Sequence, residues 1–221
     1  MVKKKRTYKE LLEDLIGHPI NEFNLSGVEK AKLKVVLEKA YDIRKFELEM
    51  YWKRATYFWG FIAVAYTAFF IVSNTKNEID KDYQFMVVCI GLIFSFAWYL
   101  VNRGSTYWVT NYERIIDAIE EKLGCEFYKL NLVPEFSKYN LQHNYPFSVS
   151  RINIKVSLFI LLTWVLLFLR AIHQQWQSPN TSKLFNAIVI TTVWMLWYLF
   201  KSKSSLTNKY QFEKRESHYK S

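Results

Sequence analysis

The chain has 221 residues, 51% of them hydrophobic and 18% aromatic, with 30 Lys and Arg against 20 Asp and Glu for a formal net charge of +10. Charge-dense blocks alternate with long charge-free stretches, which excludes an ordinary soluble domain and is the pattern of a membrane protein. The positive excess falls in segments that share one side of a bilayer, so the expected partners are membrane lipids and further copies of the chain, with no nucleic acid among them.

The first region, residues 1–54, opens on Lys3, Lys4, Lys5 and Arg6, a cluster suited to anionic lipid or to holding the terminus inside. Leu11, Leu12, Leu15 and Ile16 are interrupted by Glu13 and Asp14, so no apolar core of signal-peptide length is present. Ser26-Gly27-Val28-Glu29 has capping-box form and starts a helix with nothing to stop it before Ser73. Such a helix would run about 70 Å at about 1.5 Å per residue. Leu33, Val36, Ala40, Ile43 and Met50 recur along it at three-four spacing, interrupted only by Glu47. This stripe must be covered by another part of the chain or by another subunit.

Residues 55–102 form a hairpin of two spans, Ala55–Thr75 and Tyr83–Asn102, neither with an Asp, Glu, Lys, Arg or His. Asp80-Lys81-Asp82, between them, reads as a solvated turn. Residues 103–151 begin with Trp108, Tyr112, Ile115, Ile116, Ile119 and Leu123 at helical spacing, with Glu113, Arg114, Asp117, Glu120, Glu121 and Lys122 on the wetter side and Gly124 as the stop. The hairpin thus continues out of the membrane as two facing helices. The candidate oligomer interface joins their stripes: Leu33, Val36, Ala40, Ile43 and Met50 with Trp108, Tyr112, Ile115 and Ile119. Beyond Gly124, Pro134 and Pro146 break the helical pattern. Phe127, Tyr128, Phe136, Tyr139, Tyr145 and Phe147 make that segment too aromatic for a free linker.

Residues 152–200 hold the second hairpin. Its spans are Ile152–Ile172, flanked by Lys155 and Arg170, and the shorter Leu184–Phe200, anchored by Lys183 and Lys201. Residues 201–221 read as a short helical extension and a loose tail. Lys and Arg number 13 in residues 1–54, six in 103–153 and six in 201–221, against Lys76, Lys81 and Lys183 in the two short loops. The expected localisation is therefore the cytoplasmic (inner) membrane of a bacterium, multi-pass, with both termini cytoplasmic. Aromatic rings at the span ends suit the headgroup level. Trp52, Lys53, Arg54 and Trp59 join Lys3, Lys4, Lys5 and Arg6 as candidate lipid-interface residues.

Signals for chemistry are weak. Four histidines are widely separated, Cys89 and Cys125 have no metal-like spacing, and no phosphate loop or nucleophile elbow occurs. We expect no catalytic residue, no metal, no cofactor and no enzyme. The spans offer Thr67, Ser73, Ser95, Thr163, Thr191 and Thr192 but no carboxylate, which speaks against a proton or cation carrier and leaves a multi-subunit, hydrophobically gated pore as the alternative.

The run Ala40-Tyr41-Asp42-Ile43-Arg44-Lys45-Phe46-Glu47, followed by Tyr51-Trp52-Lys53-Arg54-Ala55-Thr56-Tyr57-Phe58-Trp59, resembles the entry into the first span of the RipA-like bacterial membrane proteins. Trp108-Val109-Thr110-Asn111-Tyr112-Glu113, with Ile116-Asp117 and Glu120, resembles the helix after that family's first hairpin. The resemblance covers residues 35–130 best. It implies a homo-octamer of the cytoplasmic membrane, associated in its founding member with growth inside host cells, and brings no catalytic residue. The long helix, two-span hairpin and amphipathic helix also look like the two-span effector modules of bacterial antiphage systems, thought to form pores; the second hairpin departs from that minimal design. The expected molecule is an all-α, four-span membrane protein whose long helices extend into the cytoplasm and assemble a homo-oligomer. Its expected role is a non-enzymatic scaffold or regulator in envelope or stress adaptation.

Overall fold

The structure, a computed structural model, describes residues 8–17, 19, 25–74, 79–125, 145–176 and 183–202. They form five helices, with no strand among the described residues: α1 (Tyr8–Ile16), α2 (Gly27–Ser73), α3 (Ile79–Leu123), α4 (Val149–Trp176) and α5 (Lys183–Lys201). The protein is all-α, and α2 to α5 are each long and apolar enough to cross a membrane. Hydrocarbon offers the backbone no partner, so these spans are helical throughout. The Lys3–Arg6 cluster, residues 126–144 and the tail after Ser202 lie outside the described residues.

The helix boundaries follow from their caps. Ser26 Oγ accepts from the backbone N–H of Glu29 at 3.3 Å, while Glu29 Oε2 accepts from the Ser26 N–H at 2.7 Å; the capping box starts α2 where the sequence places it. Gly124 stops α3 with φ +77, and the Cys125 N–H then donates to the Glu120 carbonyl at 3.0 Å, a left-handed cap that only glycine adopts freely. Gly17, at φ +88, ends α1 the same way. Asp80-Lys81-Asp82 is not a turn: α3 already begins at Ile79, so these residues lie in its first turns.

The described residues divide between two compact units. The first holds α1, α2 through Phe46 and α3 from Val109; the second holds α2 from Glu47, α3 through Trp108, α4 and α5. In the first unit Leu12 and Ile16 of α1 pack with Leu33 of α2 and Ile119 of α3, and Val36, Leu37, Ile115 and Leu123 close around them. The sequence reading saw Leu11, Leu12, Leu15 and Ile16 only as a failed signal peptide; they are the cover for the paired helices. Tyr41 O–H donates to Glu120 Oε1, and Arg44 donates through Nε and Nη2 to Glu113 Oε1 at 3.2 and 2.8 Å. Glu120, expected on the wet side of its helix, is 2% exposed. It lies one turn from Ile116 and so shares the buried face.

The second unit has two apolar clusters. One gathers Ala65, Val88, Leu92, Leu161 and Trp164; the other gathers Phe85, Cys89 and Phe185, where the rings of Phe85 and Phe185 lie 4.3 Å apart. Gly91 is required by the first. A Cβ there would stand 2.5 Å from ring carbons of Trp164, which is fully buried. Small residues of this kind let membrane helices approach closely.

Two substitutions test these cores separately. Leu33→Ala is expected to cost the first unit about 2–5 kcal/mol. Hydrogen exchange should read this as faster exchange in α1 and in Ile115–Leu123, with α4 and α5 unchanged; unaltered protection at Ile115–Leu123 would remove Leu33 from that core. Gly91→Ala is expected to cost about 1–3 kcal/mol by displacing Trp164, read as a lower denaturation midpoint in mixed micelles and a shift in tryptophan emission.

Candidate functional site

Three helices of the second unit put polar side chains at one point. Asn153, near the start of α4, donates through Nδ2 to the Tyr51 hydroxyl of α2 at 2.7 Å and to Oδ1 of Asn102 on α3 at 3.2 Å. Tyr51, Asn102 and Asn153 are each less than a tenth exposed. An amide nitrogen has two hydrogens, so one Asn153 side chain ties two neighbouring helices to its own. The Nδ2 of Asn102 and the Oγ of Ser105, one turn further along α3, are buried without a partner among the described residues.

Beside this junction the same three helices line an open cavity of about 470 Å³. From α2 it takes Trp52, Trp59, Ala63 and Tyr66; from α3, Trp98. From α4 it takes Val149, Ile152, Asn153, Val156 and Ile160. Its wall is aromatic and aliphatic, with the Asn153 amide at one end. Tyr66 closes the other end, its ring 4.6 Å from that of Trp164 and its hydroxyl 2.6 Å from Thr163 Oγ1. Trp98 is 1% exposed and forms the floor, whereas Trp52 and Trp59 are 39% and 49% exposed and form a rim. Pockets for small ligands fall between about 300 and 1,000 Å³ and are mostly apolar with few polar groups.

The residues singled out from sequence are divided by the structure. Leu33, Ala40 and Ile119 are buried in the chain itself, and Val36 and Ile115 pack against that core. Met50, Trp108 and Tyr112 are half-buried, while Ile43 is 42% exposed. Of the lipid-interface set, Trp52, Lys53 and Trp59 are exposed. Arg54 turns back on its own helix, donating to the Met50 carbonyl at 3.0 Å and to Glu47 Oε2 at 3.2 Å. Lys201, read as an anchor, sits with Nζ 3.8 Å from the centre of the Trp197 ring. The Tyr51–Asn102–Asn153 junction was not anticipated. Its signal was present, since two asparagines end one span and begin the next, and amides near a membrane core bond across helices.

The hydroxyls weighed as pore-lining are spent locally. Thr67 donates to the Ala63 carbonyl at 2.9 Å, Ser95 to Gly91 at 2.7 Å, Thr191 to Ala187 at 2.9 Å and Ser73 to Phe69 at 2.6 Å. Such back-bonding satisfies a hydroxyl within its own helix.

Comparison with known proteins gives one family. The model of the octameric membrane protein family matches residues 35–173, more than half of the chain, and covers the first hairpin, the helices that extend from it and α4. No curated protein and no solved structure matches the chain.

Asn153→Leu should loosen the junction, leaving the Tyr51 and Asn102 groups without their shared partner. Interhelical bonds of this class average about 0.6 kcal/mol and reach about 1.7. The expected outcome is a loss in that range by reversible unfolding in micelles, and a double-mutant cycle with Tyr51→Phe should show coupling; additive losses would mean that the two side chains do not act together.

Proposed function

This chain belongs to the octameric membrane protein family, and on that premise we propose that it is a non-enzymatic scaffold or regulator in the cytoplasmic membrane of a bacterium, acting in envelope or stress adaptation. It is a multi-pass, homo-oligomeric membrane protein. Both termini belong on the cytoplasmic side, a reading supported by the 13, six and six basic residues of the three larger extramembrane segments.

One observation carries the scaffold reading. In the first unit α2 turns its buried face, Leu33, Leu37 and Ala40, toward α1 and α3, and on the opposite face it exposes Val28, Val35 and Phe46. Those three are separated by seven and eleven residues, close to two and three helical turns, so they form one row. Ile43, from the sequence-derived interface, stands at the edge of this row. A row of apolar residues on a charged helix suits contact with a second copy. The alternative, a pore, gains little support from Thr67, Ser73, Ser95 and Thr191, whose hydroxyls donate to carbonyls of their own helices.

The test is the native mass of the assembly in lipid nanodiscs. The parent chain should give a discrete octamer. Val35→Asp with Phe46→Asp should give a smaller assembly at unchanged helix content, with Ile43→Asp adding to the effect. An unchanged octamer would remove this row from the interface. Leakage of ions from proteoliposomes would favour the pore, and turnover of a lipid or envelope precursor abolished by one point substitution would defeat the non-enzymatic reading.

A further inference from the structure

We propose that the cavity between α2, α3 and α4 binds one acyl chain of an anionic phospholipid, with the phosphate end of that lipid held among Lys53, Arg151 and Lys155. The inference rests on the second unit alone and goes beyond the scaffold reading, which holds or fails without it.

The shape comes first. Trp52 and Tyr66, at the two ends of the α2 wall, are 14 residues apart, or about 21 Å at about 1.5 Å per residue. On α4 the wall runs from Val149 to Ile160. The cavity is therefore long and apolar, and it lies along helices that cross the hydrocarbon. A compact polar metabolite would leave most of this wall unmatched; a single extended hydrocarbon chain fits its length and chemistry.

The charges set the head. Lys53 adjoins Trp52 and Arg151 adjoins Ile152, lining residues at one end, and Lys155 adjoins Val156 part-way along the α4 wall. All three cations are exposed and make no ion pair among the described residues. No cation adjoins the lining residues Ala63, Tyr66 or Ile160 at the opposite end. The nearby Arg54 is committed to Glu47, which leaves these three for a ligand. Guanidinium and ammonium groups at headgroup depth favour a phosphate with net negative charge over a zwitterion.

The test uses the assembled chain in micelles and native mass spectrometry, with phosphatidylglycerol and phosphatidylcholine of identical chains as probes. One phosphatidylglycerol per protomer should be retained, with an apparent affinity about ten-fold or more above phosphatidylcholine. Ala63→Trp, which fills the cavity, should lower retention of both lipids about ten-fold at unchanged oligomer mass. Val156→Trp, on the facing helix, repeats that test should Ala63→Trp fail to fold. Arg151→Gln with Lys155→Gln should erase the preference for the anionic lipid while chain binding persists. Equal retention of the two lipids by the parent, or full retention by a folded cavity-filled variant, would overturn the proposal. A changed oligomer mass in the cavity-filled variants would assign the cavity to a second copy and overturn it too.

Discussion

Both units are built on α2, an unbroken helix of 47 residues whose buried positions recur from Leu33 to Ala65. Its first part is bathed in charge and its last part is free of it, so the two are held by different forces. In water, Leu33 and Leu37 are driven against α1 and α3 by the removal of apolar surface. In hydrocarbon that drive is absent, and Ala55, Ile62 and Ala65 hold their places by close packing and by the hydrogen bonds of neighbours such as Tyr51 and Tyr66. One helix therefore changes its stabilising physics midway without changing the face that it buries.

The polar groups follow the same division. In the first unit, Tyr41 is bonded to the buried Glu120, and the part-exposed Arg44–Glu113 ion pair also links α2 to α3. Partly exposed ion pairs of this sort add little stability and more register. In the second unit amides and hydroxyls link α2, α3 and α4, because an unpaired charge in hydrocarbon is far more costly than an unpaired amide. Within the second unit, the cavity beside the Asn153 junction has an amide near one end and apolar or aromatic side chains toward the other.

Spans, caps and the pairing of the two long helices were legible in the sequence because each leaves a local mark: a charge-free run, a Ser-x-x-Glu, a glycine after a periodic stretch. The buried stripe of α2 was read less well. Leu33, Val36, Ala40, Ile43 and Met50 fit a strict heptad, which holds its face only if the helix supercoils. The observed face runs through Leu33, Leu37, Ala40, Arg44, Tyr51 and Ala55, drifting one position by Arg44, as a helix of 3.6 residues per turn requires. Arg44 was passed over since a cation breaks an apolar pattern, although its carboxylate partner Glu113 lay in the facing helix. The cavity was not legible at all: Trp52 and Trp98 stand far apart in sequence, and each alone reads as an interfacial anchor. Helix α1 was hidden by Glu13 and Asp14, whose charges mask a nine-residue amphipathic pattern of about two and a half turns.

The face of α2 repeats after 18 residues, about five full turns: Leu33 is answered by Tyr51, Leu37 by Ala55 and Arg44 by Ile62. This makes the stretch between Tyr41 and Tyr51 a matter of phase as much as of length. A single inserted residue would turn the part of α2 after it by about 100° against the part before it. Insertions of seven, 11 or 18 residues, near whole numbers of turns, would preserve that phase.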